Sequence, residues 1–160
     1  MMYLSVIFIW FFLTYCSTWR KPLRLTRIDY VGNEFKTNGF YYNRSLGNFL
    51  VYVNGIYLHG GTGQESLDAI TYKWTKSKFS ESDFLNKTAM DWGVFQINYP
   101  SILIEHWHGG DVGTPYPTAT YHGKILNDTT IVLYDWPTGQ DTFYYHPMSP
   151  KPDSTNRFIK

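Results

Sequence analysis

The stretch FLVYVNGIYLHGG, Phe49 to Gly61, decides how the chain folds. β-branched and aromatic residues flank Asn54-Gly55, a dipeptide that accepts the two positive-φ positions of a type I′ turn, so the segment predicts a two-residue β-hairpin. That loop pairs Val53 with Ile56, Tyr52 with Tyr57, Val51 with Leu58 and Leu50 with His59. Strand alternation then places Phe49, Val51, Val53, Ile56 and Leu58 on one face and Leu50, Tyr52, Tyr57 and His59 on the other. The first face is apolar enough to be a core. The second is amphipathic, which makes Tyr52, Tyr57 and His59 candidates for binding a ligand or partner.

Strand signals continue on both sides of this hairpin. Leu25 to Val31 and Thr37 to Asn43 are short β-like runs separated by Gly32-Asn33. Trp92 to Asn98 and Ile102 to Trp107 flank the turn Asn98-Tyr99-Pro100-Ser101, and Ile102-Leu103-Ile104 is apolar on both faces, as in a roofed strand. After the Gly- and Pro-rich loop His108 to Pro117, the runs Thr118 to Leu126, Thr129 to Trp136 and Asp141 to His146 form a meander. Between Gly60 and Met90 the pattern changes. Leu67, Ile70 and Trp74 are spaced i, i+3 and i+7, predicting one or two short helices around residues 64–90, the second capped at Ser80 or Asp83. Phe158-Ile159, at the end of a polar tail, is expected to dock back on the body.

Eight or nine short strands joined mostly by hairpin-length turns must bury one face and deal with their edges, and closure removes edges altogether. The expected fold is therefore mainly β, a small antiparallel meander barrel with a short helical insertion; a two-sheet sandwich satisfies the same periodicity. Small barrels are commonly packed by their own side chains, so a filled interior is expected over a hollow one.

With 160 residues and a formal net charge of +1, the chain is sized for one domain and lacks the basic footprint of a nucleic-acid binder. Aromatic residues make up 19%, a surplus that suits strands with one dry and one wet side. The only cysteine, Cys16, excludes an intramolecular disulfide and closes the uncharged apolar run MMYLSVIFIWFFLTYC. At about 15 residues this run is short for a membrane span, which needs roughly 20, and reads as an export signal. Leu13-Thr14-Tyr15-Cys16 resembles the lipobox of bacterial lipoproteins, with Tyr15 where a small residue is usual. On this reading residues 1–16 are a signal peptide, 17–24 a tether and 25–160 a barrel domain, with lipidated Cys16 holding the protein at the outer membrane or periplasmic face. Arg20, Lys21, Arg24 and Arg27 follow the run, and such a cluster favours the alternative of an uncleaved signal anchor.

The order NGFYY, FLVYVNGIYL, DWGVFQI, ILIEHW, GKILNDTTIVL, PKPDSTNRFI resembles a group of small lipocalin-like lipoproteins of the Gram-negative bacterial envelope, over most of the chain after the leader. The resemblance implies a secreted, membrane-tethered barrel and supplies no ligand, cofactor or catalytic residue.

Candidates for chemistry are few. Glu105-His106-Trp107-His108 followed by Asp111 permits a zinc site, because residues i and i+2 of a strand share a face and Asp111 can return from the loop; a metal-dependent hydrolase on His106, His108 and Asp111 is the catalytic alternative. There is no Gly-x-Ser-x-Gly elbow, and GGTGQES lacks the Lys of a phosphate loop. The expectation is a non-catalytic envelope protein, either a carrier of a small apolar or amphipathic ligand or a protein-interaction module.

Overall fold

The computed structural model describes residues 20–61, 63–76, 89–136 and 139–160. Among these, eight strands run in order: β1 (Gly39–Asn43), β2 (Gly47–Val51), β3 (Ile56–His59), β4 (Trp92–Asn98), β5 (Ser101–Trp107), β6 (Thr118–Asn127), β7 (Thr130–Trp136) and β8 (Gly139–Pro147), with helix α1 (Leu67–Lys76) between β3 and β4. Every strand pairs antiparallel with its sequence neighbour, and β8 closes on β1 through Phe40–His146 and Tyr41–Tyr145. The expected small lipocalin-like barrel is the fold, and the sandwich alternative is excluded by that closure. Leu25 to Val31, read as a strand, joins no ladder and is an extended arm. A second helix capped at Ser80 or Asp83, and the leader with Cys16, lie outside the described residues.

The central hairpin differs from its expected form by one residue. Phe49 pairs with His59, Leu50 with Leu58 and Val51 with Tyr57. The Gly55 amide donates to the Tyr52 carbonyl at 2.9 Å and the Tyr52 amide to the Ile56 carbonyl at 2.9 Å, so the loop is Val53-Asn54-Gly55. Only Gly55, at φ 76°, is left-handed there; Asn54 is not. This is the three-residue connection that ends on an αL glycine, and it adds one residue to the loop. Because side chains alternate with period 2, the slip exchanges the faces of β3 relative to β2. Phe49, Val51, Tyr57 and His59 point into the barrel, whereas Leu50, Tyr52, Ile56 and Leu58 point out, and Val53 stands 61% exposed at the tip. The expected grouping of Val53, Ile56 and Leu58 with Phe49 and Val51 is thereby corrected.

Two cores result, one on each side of the β1–β5 wall. The interior is packed with rings: Phe49 has ring centres 5.1 Å from Phe143, 5.4 Å from Tyr57 and 5.5 Å from Tyr41. Ile102, Ile104, Ile125, Ile131 and Leu133 fill the rest. At the end holding the β2–β3 and β4–β5 turns, Phe35 plugs the bore, edge-on to Phe95 at 5.8 Å.

The outer core lies under three covers. Helix α1 lays Ile70 and Trp74 on Leu50 and Leu58, and the Trp74 indole N–H donates 2.9 Å to the side-chain oxygen of buried Asn48. Gly60 permits that approach, since a Cβ there would fall 1.9 Å from Asn48 Oδ1 and 2.7 Å from the Trp74 ring. The N-terminal arm is the second cover. Residues 20–24, expected in the tether, lie against the barrel: the Lys21 carbonyl accepts from the Trp107 indole at 2.6 Å, and the Arg24 and Leu25 amides both donate to Glu105 Oε2, at 2.6 and 2.8 Å. The C-terminal tail is the third, and it buries Met148, Phe158 and Ile159 as expected of Phe158-Ile159. No helix among the described residues is long and apolar enough to cross a membrane.

Candidate functional site

At the end of the barrel away from the Phe35 plug, the interior turns from apolar to polar. β3 brings Tyr57 and His59 inward, and β5 brings His106 inward two strands away. Between them β4 contributes Gly93, paired with both Tyr57 and His106. A Cβ on Gly93 would sit 2.5 Å from His106 Cβ, so only glycine leaves the imidazole room to reach across β4. The rings meet as a result: His106 lies 5.3 Å from Tyr57, 5.3 Å from Tyr121 and 5.6 Å from His59, the two imidazoles nearly parallel at 14°.

Hydrogen bonds orient these rings. The Tyr57 hydroxyl and His59 Nδ1 are 3.1 Å apart, and His106 Nδ1 is 3.0 Å from the Trp107 carbonyl oxygen. A carbonyl can only accept, so His106 Nδ1 carries the proton and Nε2 presents a lone pair. That Nε2 is buried and has no hydrogen-bond partner. Burial lowers His59 to about 4; burial, then the neighbouring His59, lowers His106 to about 3, so both are neutral at physiological pH. Burial also raises Tyr57 far above and Tyr121 above the usual phenol range, which keeps both hydroxyls protonated. Asp91 stands at the head of β4 with φ 76°, its amide bonded to the Trp107 carbonyl and its own carbonyl to the His59 amide; burial raises its carboxyl to about 6. A non-glycine residue held left-handed beside such a cluster is a form of strain that concentrates at functional sites.

The residues singled out from sequence are divided by the register slip. Tyr57 and His59 belong to this inner cluster, a correction to the amphipathic outer face on which they were grouped. Tyr52 is on the outer core, where the Lys151 ammonium sits 3.9 Å from its ring centre and donates to the Val51 carbonyl at 2.5 Å and to the Thr37 carbonyl. Burial lowers Lys151 to about 7, and the Tyr52 hydroxyl has no partner. His106, His108 and Asp111 do not assemble: His108 is bonded to its own loop, 2.9 Å from the Gly109 carbonyl, Asp111 is exposed, and among the described residues no three of His, Cys, Asp and Glu converge on a metal-sized position. His122 is exposed on the outer face of β6 and His146 stacks on Phe40 at 5.6 Å, both away from His59. Glu105 is structural, its carboxylate holding the arm. Sequence reasoning missed the pairing of His59 with His106. The signal was available in Gly93, which faces two large residues in neighbouring strands, but only once the hairpin loop is counted as three residues.

Outside the barrel, two open grooves meet at the β4–β5 turn. One, of about 370 Å³, runs between the arm (Ile28, Tyr30, Val31) and Tyr99; the other, of about 430 Å³, crosses Leu103, His122 and Tyr134, and both share Gln96, Ile97 and Asn98. Val31 is 95% exposed and Tyr99 56%.

Fold and site together define a class, the small lipocalin-like antiparallel barrel whose bore is closed by its own rings and whose one polar end carries paired imidazoles. Comparison with protein-family models, with curated proteins and with solved structures returned no match.

Proposed function

We propose that the protein is a non-catalytic envelope lipoprotein, held by a lipid on Cys16, that works by binding a protein partner along the outer grooves at the β4–β5 turn. The observation that carries this reading is the ring-filled bore. With Phe49 in contact with three aromatic neighbours and Phe35 stopping one end, the interior is packed as a core and offers little space for a carried ligand. Apolar side chains are left in water instead at Ile28, Val31, Val53 and Tyr99, and contiguous apolar surface on a folded body marks contact sites. The grooves are open channels, a shape that suits a peptide segment or a partner's loop more than an enclosed small molecule.

Photo-cross-linking in native membranes tests the site. Probes at Val31, Tyr99 and Tyr134 should capture one recurrent partner that a probe at Tyr72, exposed on α1, does not. Equal capture from Tyr72, or none from the groove, refutes the assignment. Tethering is tested separately: a fatty-acid analogue should label the parent protein and not Cys16→Ser, and equal labelling of the two removes the lipid anchor from the reading.

A further inference from the structure

We propose that the corner of the barrel where the root of the N-terminal arm meets the end of the C-terminal tail is a bilayer-facing surface, fitted to anionic phospholipid headgroups. This surface presupposes the membrane anchor of the reading above; what it adds is the side of the barrel that faces lipid.

Three segments meet at this corner. Arg20 pairs in parallel with Tyr116, and the Lys21 amide donates to the Tyr116 carbonyl at 3.0 Å, which joins the arm to the loop 108–117. The Arg20 guanidinium lies 5.1 Å from the Trp107 ring centre and 5.5 Å from that of Phe158, and it donates to the Phe158 carbonyl at 3.3 Å, which joins the arm to the tail. The main chain of the arm is spent on the barrel, the Lys21 carbonyl on the Trp107 indole N–H and the Arg24 amide on Glu105. Lys21 and Arg24 are left exposed, with no ion pair to any described residue.

Charge gathers here more densely than the composition supplies. Arg20, Lys21, Arg24 and Arg157 stand against one exposed carboxylate, that of Asp111, in a chain whose formal net charge is +1; Glu105 is buried beneath the arm. Like charges held close repel, and a pinned backbone cannot spread them. An anionic surface relieves that repulsion and attracts basic residues that come within a Debye length. Val112, fully exposed in the loop, and half-buried Tyr116 add an apolar and an aromatic contact of the kind that suits the headgroup boundary.

Chain length selects lipid over other polyanions. Arg20 follows Cys16 by four residues, which span at most about 14 Å, so a membrane that holds Cys16 has this corner within reach. Acidic proteins and nucleic acids offer the same charge, but the chain does not itself bring them to Arg20. The opposite end is kept away: β5 alone runs seven residues, about 20 Å, from Trp107 to the β4–β5 turn. The barrel then stands on its arm root, with the grooves proposed for a protein partner turned away from the bilayer.

The test returns full-length protein, extracted from membranes, to vesicles of phosphatidylcholine with or without added phosphatidylglycerol. Each sample carries one benzophenone photoprobe, at Pro22, Val112, Val53 or Tyr99, and lipid adducts are read by mass spectrometry. Pro22, exposed beside the tether, reports anchoring in both vesicle types. Val112 should give about fivefold more lipid adduct or better with phosphatidylglycerol than without it, and a similar excess over Val53 and Tyr99 at the far end. Lys21→Gln with Arg24→Gln should remove that gain, Lys21→Arg with Arg24→Lys should keep it, and raised salt should remove it from the parent protein without any substitution. Absence of lipid adducts at Pro22 removes the anchor, and this surface with it. Three results overturn the surface alone and leave the anchor standing: adducts at Pro22 with Val112 labelled no better than Val53 and Tyr99, a Val112 yield indifferent to phosphatidylglycerol and salt, or protein adducts in place of lipid at Val112 in native membranes.

Discussion

Glu105→Ala should free the N-terminal arm without unfolding the barrel. Glu105 is fully buried on the outer face of β5, and one of its oxygens accepts two consecutive backbone N–H groups from the arm, Arg24 at 2.6 Å and Leu25 at 2.8 Å. Hydrogen bonds to a charged acceptor contribute roughly 1.5–3 kcal/mol each. Truncation removes both, but Arg24 is exposed and Leu25 only half-buried, so water recovers part of the loss and the net cost should be about 2–4 kcal/mol. Because Arg24 and Leu25 are anchored by this residue, the cost should fall first on local opening of the arm. At 1.4 kcal/mol per factor of ten, amide exchange at those two positions should accelerate by more than tenfold, while the β6–β7 amides, paired through Lys124–Val132 and Ile125–Ile131, keep most of their protection. Glu105→Gln retains an acceptor of the same shape and should lose about half as much. Hydrogen exchange read by mass spectrometry on peptides spanning residues 20–28 and 121–134 measures both. Unchanged protection at Arg24 and Leu25 in Glu105→Ala, or an equal loss everywhere, refutes the role of Glu105 as the clasp of the arm.

Three further outcomes test the packing and the charge pattern. Phe49→Ala should cost about 3–5 kcal/mol in urea denaturation and create a bore that takes up benzene, since a ring touching three others leaves a void when removed; equal benzene uptake by the parent protein would show the interior was never filled. Val53→Ser should change stability by about 0.5 kcal/mol or less and Val51→Ser by about 2 kcal/mol or more, because the first is at the exposed tip and the second faces the interior; similar costs would restore the two-residue loop. Stability should fall on acidification from about pH 6.5 toward 4, since His59 and His106 bind protons more readily unfolded than folded, each contributing up to about 1.4 kcal/mol per pH unit. Asp91, raised to about 6, opposes part of that fall between about pH 4 and 6, so His106→Phe should flatten the acid limb and Asp91→Asn steepen it. Lys151, lowered to about 7 from 10.5, adds a rise between about pH 7 and 10 that Lys151→Met should abolish. Thermal melts across pH 4 to 10 read all of these slopes, and an acid limb unaltered by His106→Phe would refute the histidine assignment.

Element type was legible because it depends on short-range signals, while closure was not, since the same periodicity satisfies a two-sheet sandwich. Period-2 runs, the Asn54-Gly55 and Asn98-Tyr99-Pro100-Ser101 turns and the lack of long helical stretches all pointed to one meander, and Leu67, Ile70 and Trp74 announced the helix that roofs it. The error in register lay in one loop. Asn54-Gly55 was read as both central residues of a turn, when Gly55 alone adopts the left-handed conformation and Val53 joins the loop. Either choice was locally acceptable, since Leu50, Val51, Ile56, Tyr57 and Leu58 are all apolar or aromatic and the polar residues Asn48 and His59 lie at the far ends of the two strands.

The amino-acid order by itself therefore determined an antiparallel meander with a helical insertion, because alternation and turn chemistry act over a few residues, whereas the pairing of β8 with β1 that closes it into a barrel belongs to the tertiary structure. The order likewise did not determine which side of β3 faces inward. When arm, helix and tail bury the outer wall as fully as the rings bury the bore, hydrophobicity no longer distinguishes two registers one residue apart. Packing across β4 settled that choice, with Gly93 making room for His106 to meet Tyr57 and His59, and those contacts exist only in three dimensions.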